Sequence, residues 1–374
     1  MNSKSVFFID PQSLIPYDTG LLSAMEDRSG ILLLAGEGFN LDIDTKPVFN
    51  HFKYKNKVIK GLCYLYSIIK IVMLIIKHSP KVVHIEWIRF FPIDYLFLKF
   101  IKKRGIKVVY TGHNILPHDD INEQQYDNYK KYYHAVDKII VHTNRTKEEL
   151  IERFEIIEDK IVVIPHGLNK VKINEQEVEN YQKFFTEKFD LKGKTVFTSL
   201  GSQGHYKGFE ILKETWIETS ELANNDKVVL LIAGNMSFVD SSKLDECKNV
   251  HIVDGVLSND EFIALARIGS VAILPYISIS QSGVLMTAMQ EHIPVLVTDV
   301  GGLPDPINLA KVGWNMGQPT TDNLREWMLY LANNNEEIET VRFDKLAWSV
   351  IDKEFSWRNS ATKTTDIYNS LMNK

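Results

Sequence analysis

The chain alternates short, wholly apolar runs with longer stretches in which apolar residues recur every three or four positions. In the first half the runs are SVFFID, ILLLAG, VVHIEW, KVVYTGHN, KIIVHT and KIVVIPHG. In the second half they are TVFTSLGS, KVVLLIAG, NVHIVDG, VAILPY and IPVLVTD. Runs rich in valine and isoleucine without strict alternation predict strands covered on both faces, which means parallel sheets flanked by helices. Almost every run ends in a turn containing Gly, His, Asn or Asp, and sheets of this kind take their ligands beyond the carboxyl ends of the strands.

The alternation breaks once. After IPHGLN comes the polar stretch KVKINEQEVENYQKFFTEKFDLKGK, and then the pattern restarts. This predicts an α/β chain of two Rossmann-like, doubly wound domains, over residues 1–168 and 169–354, with a linker region at 169–192. The final segment, FSWRNSATKTTDIYNSLMNK (355–374), predicts an amphipathic helix that packs back toward the first domain. At 374 residues each domain is large enough to bury its own core. Two such domains facing each other leave a central cleft lined by strand-end loops.

Composition narrows the partners. A net charge of −5 argues against a nucleic-acid protein. Cys63 and Cys247 are far apart and lack metal-ligand spacing, so they read as buried free thiols of a reducing, cytoplasmic compartment. The opening KSVFFID reads as a strand and not as a secretory leader. The longest apolar segment, GLCYLYSIIKIVMLIIK (61–77), is interrupted by Lys70 and short for a membrane span, so it predicts a buried or membrane-facing helix. Lys53, Lys55, Lys57 and Lys60 precede it, and Lys99, Lys102, Lys103 and Arg104 close the next apolar helix. Basic and apolar groups together suit peripheral attachment to an anionic membrane; ordinary solvated helix faces are the competing reading.

Candidate chemistry lies at the strand ends. The stretch SISQSGVLMTAM opens a helix with Gln281, Ser282, Gly283 and Val284. Ser282 can simply cap the helix, or the free N–H groups beside Gly283 can seat an anion. In LGSQGHYKG a glycine turn, Gly201 and Ser202, precedes Lys207 at a helix start; the spacing is not that of a P-loop. Lys207 is either a solvated lysine or a second source of positive potential there. Gly234 and Asn235 form either a tight turn or a close approach to ligand. His113 ends the strand of YTGHN, with His118 and Asp119 following, and Trp87 ends VVHIEW. No Ser–His–Asp, Cys–His or metal-ligand spacing competes.

Together LGSQGHYKG, LLIAGN, ILPYISISQSGVLMTAMQEHIPVLVTDVGGLPD and the terminal FSW resemble the family 4 glycosyltransferases of GT-B fold. In the first half SLIPYDTGLLSAM, VVHIEW, YTGHNILPHD and VIPHG resemble the matching segments. The resemblance implies a nucleotide-diphosphate sugar donor held by the second domain and a glycan or lipid-linked glycan acceptor held by the first. It implies that Lys207 and the helix start at Ser282, Gly283 and Val284 receive the diphosphate, with Gly201, Ser202, Gly234, Asn235, Val256 and Gln281 around the nucleotide. It places His113 at the reaction centre, and Tyr17, Asp18, Trp87 and His118 beside the acceptor. It implies a retaining transfer in polysaccharide or glycoconjugate synthesis that needs no metal or other cofactor, lysine and helix dipole neutralising the leaving group. His166, Asp299, Gly301 and Gly302 are expected to be structural.

The departures are specific. Many relatives carry two glutamates eight positions apart where this chain has Ile279 and Thr287, and a basic residue where it has Ser202 or Gln203. Sugar recognition is therefore altered. No carboxylate that would orient His113 is identifiable in the sequence, so a general-base role is not assigned. Two alternatives share the architecture: a non-hydrolysing sugar-nucleotide epimerase, which calls for a richer set of carboxylates, and a non-catalytic partner subunit.

Overall fold

In a computed structural model the chain is described over residues 4–116, 122–168, 171–244, 246–279 and 282–373. His118, Asp119 and Gln281 lie outside the described residues. The chain divides into two compact units, residues 1–167 with 355–374, and residues 168–354.

The first unit is built on strands β1 (Val6–Ile9), β2 (Ile31–Ala35), β3 (Asp44–Pro47), β4 (Val82–Ile85), β5 (Lys107–Gly112), β6 (Lys138–Val141) and β7 (Ile161–Val163). All pair in parallel, in the order β3-β2-β1-β4-β5-β6-β7. Helices α1 (Ile15–Ser23), α2 (Lys57–His78), α3 (Phe91–Lys103), α4 (Glu123–Ala135) and α5 (Asn144–Glu152) link them. Successive side chains of a strand point to opposite faces, and both faces are covered here. Phe7 and Ile9 of β1 join a core with Ile71 and Ile75 of α2 and Leu98 and Ile101 of α3. Val6 and Phe8 join another with Leu21 and Leu22 of α1 and the carboxyl-terminal residues Ile367 and Tyr368.

The second unit repeats the plan with β8 (Thr195–Leu200), β9 (Val228–Gly234), β10 (Val250–Asp254), β11 (Val271–Leu274), β12 (Val295–Val297) and β13 (Gly313–Asn315), ordered β10-β9-β8-β11-β12-β13 and all parallel. Its helices are α6 (Glu175–Lys188), α7 (Phe209–Glu218), α8 (Ser220–Ala223), α9 (Asn259–Ile268), α10 (Gly283–Gln290), α11 (Asp305–Ala310), α12 (Thr321–Asn333), α13 (Asn335–Arg342) and α14 (Lys345–Glu354). The last helix, α15 (Trp357–Met372), belongs to the first unit.

Three features differ from the sequence reading. The edge strands β3 and β13 carry the sequences DTKP and GWN, too short and too polar to register as apolar runs. The stretch expected to be a linker contains α6, which buries Val178 against Ile263 and Ala264 of α9. The two thiols are free but only half-buried.

Both sheets reverse direction of winding at a definite point, β1/β4 in the first unit and β8/β11 in the second. A crevice for a ligand opens at such a point, beyond the strand carboxyl ends.

Candidate active site

At the β8/β11 switch point the glycine turn and Lys207 come together. Gly201 follows β8 with a φ of +86°, a conformation that suits glycine, and a Cβ built there would stand 3.0 Å from Lys207 Nζ and 3.4 Å from Val284 Cγ2. Gly234 ends β9 at φ +134°, where a Cβ would meet the Gly201 carbonyl oxygen at 2.2 Å. The two strand ends are thus packed backbone on backbone. Gln203, one of the residues standing where relatives carry a cation, is buried and braces this turn: its amide donates to the carbonyls of Ser199 at 3.3 Å and Gly201 at 3.0 Å.

Lys207 extends over the Tyr276 ring, 5.7 Å from its centroid, and no carboxylate among the described residues pairs with it. Partial burial without a counter-charge lowers its pKa below the ordinary lysine value. Ser282 is the N-cap of α10; its hydroxyl accepts from the Leu285 amide at 3.2 Å and lies 3.4 Å from the Tyr276 hydroxyl. The simple capping role is therefore real. Among the described residues no acceptor takes the amides of Gly283 and Val284, and a Cβ at Gly283 would meet nothing within 4 Å. A lone ammonium, a glycine turn and a helix start with open space beside it form a seat for a polyvalent anion.

Of the other second-unit residues picked from sequence, Ser202 is exposed, and Asn235 is held in the turn by accepting the Ser237 amide at 2.9 Å. Val256 is 96% exposed, leaving its apolar surface free to pack on a planar group. Asp299 lies just past the carboxyl end of β12, where Asn315 donates to it at 3.4 Å.

In the first unit a buried chain of hydrogen bonds crosses the strand carboxyl ends. His142 Nδ1 faces only the Ile164 carbonyl, 2.9 Å away, so this nitrogen carries the proton. Burial, aided by His113 and His166, keeps the His142 pKa far below the ordinary histidine value, so its Nε2 is a lone pair. His113 Nδ1 lies 3.3 Å from it. His113 Nε2 stands 2.6 Å from Glu86 Oε2. The Glu86 carboxyl resists the upward push of full burial, because His84, His113 and Thr111 hold it below its ordinary value. An ionised Glu86 accepts from His113 Nε2–H, which fixes the imidazole in place.

The other Glu86 oxygen accepts from Thr111 at 3.1 Å, Thr111 accepts from His84 Nε2 at 2.7 Å, and Tyr368 donates to His84 Nδ1 at 2.5 Å. Burial pushes the His84 pKa down to about 4, consistent with this neutral tautomer. Each donor in the chain thus meets one acceptor.

Trp87 stacks on the His113 imidazole, with centroids 4.7 Å apart and an interplanar angle of 9°. Tyr17 is buried edge-on to His113, His142, His166 and Trp357. Asp18, expected to meet an acceptor, is fully buried and presents no surface. It finds no backbone donor or cation, and its carboxyl faces that of Asp10. Burial raises the pKa of both carboxyls, with Asp10 and Glu86 adding to the effect on Asp18. Asp10 also accepts from the amides of Gln12 and Leu14 and so fixes the loop into α1.

Glu86, His142 and Asp10 were not singled out from the sequence. Their signal was present: each lies at or just past the carboxyl end of an apolar run, as His113 does. Glu86 supplies the orienting carboxylate that sequence reasoning did not find.

Comparisons with known proteins bear on the family and the fold. Residues 36–171 match the model of Glycosyltransferase Family 4, and residues 194–334 match that of Glycosyl transferases group 1. An uncharacterized glycosyltransferase of Methanocaldococcus jannaschii is 24% identical over 254 residues, 63% of this chain and 60% of that protein. The GPI3 subunit of phosphatidylinositol N-acetylglucosaminyltransferase of Saccharomyces cerevisiae is 21% identical over 277 residues, 71% of this chain and 58% of that protein. The chain thus spans about three-fifths of the length of these curated relatives. Among solved structures, a glycosyltransferase from Rickettsia africae superposes with a TM-score of 0.69 at 18% identity over 100% of both chains. Anabaena HepE in complex with UDP superposes at 0.68 with 12% identity, over 98% of this chain and 99% of that one.

Proposed function

The chain is a family 4-like glycosyltransferase of GT-B fold, and from that premise we propose that it moves a sugar from a nucleotide-diphosphate donor to a glycan or lipid-linked glycan acceptor. The observation that carries this reading is the unpaired Lys207 ammonium beside Gly201 and the start of α10. That arrangement suits a diphosphate, whose charge grows as the glycosidic bond breaks. Stabilising the developing charge more than the ground state is what accelerates such a step. Lysine, helix dipole and free amides suffice for this, so the reading includes no metal or other cofactor. UDP bound by Anabaena HepE supports a uridine nucleotide as the first to test.

The first unit is assigned the acceptor. There Glu86 holds His113 in a fixed orientation with both nitrogens engaged, which suits it to position a reacting group and not to take a proton. A retaining transfer, which can proceed without a protein base, fits that arrangement. The two free thiols fit the cytoplasm, and the pathway assigned is synthesis of cell-surface polysaccharide or glycoconjugate.

The test is release of UDP from UDP-sugars with and without glycan and lipid-linked acceptors, together with calorimetric titration of UDP. Acceptor-dependent release and micromolar binding are expected. Interconversion of nucleotide sugars without acceptor would replace this reading with an epimerase, and no binding would leave a non-catalytic subunit.

A further inference from the structure

Helix α2 carries two apolar stripes. One, with Tyr64, Ile68, Ile71 and Ile75, is buried in the core of the first unit. The other comprises Val58, Leu62, Leu65, Ile69, Met73 and Ile76, which follow one another at steps of four and three and are between 40% and 71% exposed. A stripe from Val58 to Ile76 runs about 27 Å along the helix at ~1.5 Å per residue. A continuous apolar face of this length marks an interaction surface. Phe52 and Tyr54, just before the helix, extend it and are also exposed.

The charges around the stripe identify what covers it. Residues 45–85 contain eight lysines and no Asp or Glu, in a chain whose net charge is −5. Lys77 lies one turn beyond Met73 of the stripe and Lys70 one turn beyond the exposed Tyr66, and the Lys70 ammonium rests 4.4 Å from the Tyr66 ring centroid, its stem along the apolar surface. Leu96 adds an exposed apolar group on α3, with Lys99 and Lys103 on the turns that follow. Two copies of this face brought together would oppose lysine with lysine. An anionic lipid surface satisfies both the apolar stripe and its cations.

We infer that α2 docks the first unit on an anionic bilayer, lying in the interface and not crossing it. By length and composition it is the one helix among the described residues that qualifies to span a membrane. Its other stripe is committed to the sheet core, however, and a spanning helix would strip that core. The docking end also suits the chemistry. A Cβ on Gly36, just beyond β2, would come within 2.9 Å of the Phe52 ring, so the start of α2 lies at the strand carboxyl ends where Glu86 and His113 sit. This last point, delivery of a lipid-linked acceptor to His113, rests on the function proposed above; the docking itself does not.

The experiment is flotation of the full chain with phosphatidylcholine vesicles containing or lacking phosphatidylglycerol, at low salt and at high salt. The chain is expected to float with anionic vesicles and to detach as salt rises. Leu62→Glu/Ile69→Glu, at exposed positions, should lower the bound fraction at least tenfold with an unchanged melting temperature, and Lys70→Glu/Lys77→Glu should weaken binding on anionic vesicles only. UDP affinity should be the same in all variants, so loss of docking and failure of the transferase reading are separable. Absence of wild-type flotation, or equal flotation of Leu62→Glu/Ile69→Glu, overturns the inference. So does a wild-type dimer by light scattering that the same double substitution dissolves, which would assign the stripe to a second copy.

Discussion

Glu86 Oε2 lies 2.6 Å from His113 Nε2, at the ends of two adjacent strands, β4 and β5. The pair is the hinge of the buried network: removing the carboxylate removes the acceptor that orients His113. Glu86→Gln keeps the shape and leaves an oxygen for Thr111. It is expected to lower kcat by about 10²-fold, the usual order for one positioned polar group. Donor KM and UDP affinity should stay within about twofold, since Lys207 and α10 are untouched. Nitrogen-15 histidine spectra should show a changed His113 imidazole environment. Unchanged spectra with reduced activity would mean that Glu86 acts only on the fold.

Trp357 is packed by two glycines. A Cβ on Gly20 of α1 would stand 2.2 Å from its ring, and one on Gly167, after β7, 2.3 Å. The indole thus fills a slot that joins α15 to both ends of the first unit, and Ser360 donates to the Pro165 carbonyl at 2.8 Å beside it. Trp357→Ala is expected to cost roughly 3 kcal/mol in urea unfolding. Gly167→Ala, with no lost contact, should also destabilise, because the ring has no room to withdraw. A neutral Gly167→Ala would show that the slot is loose.

Acid stability separates the buried ionisable groups. His84 titrates at about 4 in the native chain, against about 6.5 unfolded. Between those values the unfolded chain binds a proton that the native chain refuses, so stability falls as pH drops from about 6.5 toward 4. At pH 5 this amounts to about 2 kcal/mol. Asp94 acts in the opposite sense: burial raises it to about 6, so the native chain holds a proton that the unfolded one has released, and stability rises as pH drops through 6. His84→Gln isolates the histidine. The loss of unfolding free energy between pH 7.5 and pH 5 should be smaller in the variant by about 2 kcal/mol. Equal losses would place the histidine charge change elsewhere.

How far the sequence can be read depends on how a residue's role is encoded. The apolar runs specify eleven strands because β-branched periodicity is local. DTKP and GWN pair only as sheet edges, where three or four backbone partners suffice and no apolar pattern is needed. Lys207 and Gly201 could be picked out because they share one short loop, and Gly283 because a helix start is marked locally in the sequence. Glu86 was not, since its partners His113 and Thr111 lie on the next strand, and the contact depends on parallel register rather than on sequence distance. Asp18 was misread for a related reason: a polar residue one step after Tyr17 gives no sign of which side of α1 it occupies, and Asp10 is what makes its burial possible.

The diphosphate seat is tested by two substitutions that act differently on it. Gly283 has open space where a Cβ would go, so Gly283→Val does not crowd the protein, although a β-branched residue near a helix start costs a few tenths of a kcal/mol. Its side chain would instead occupy the volume in front of the free amides. The expected result is an unchanged melting temperature with UDP affinity reduced by at least tenfold, about 1.4 kcal/mol. Lys207→Ala removes charge and leaves the volume open. It should weaken UDP by a similar factor but lower kcat as well, because the ammonium meets more negative charge in the transition state than in the ground state. Salt distinguishes them further, since the charge-based contribution of Lys207 is screened while a steric block is not. The wild-type affinity for UDP should fall with ionic strength, and Lys207→Ala should flatten that dependence while Gly283→Val retains it. If both variants bound UDP as the wild type does, the nucleotide would have to sit away from the β8/β11 switch point altogether.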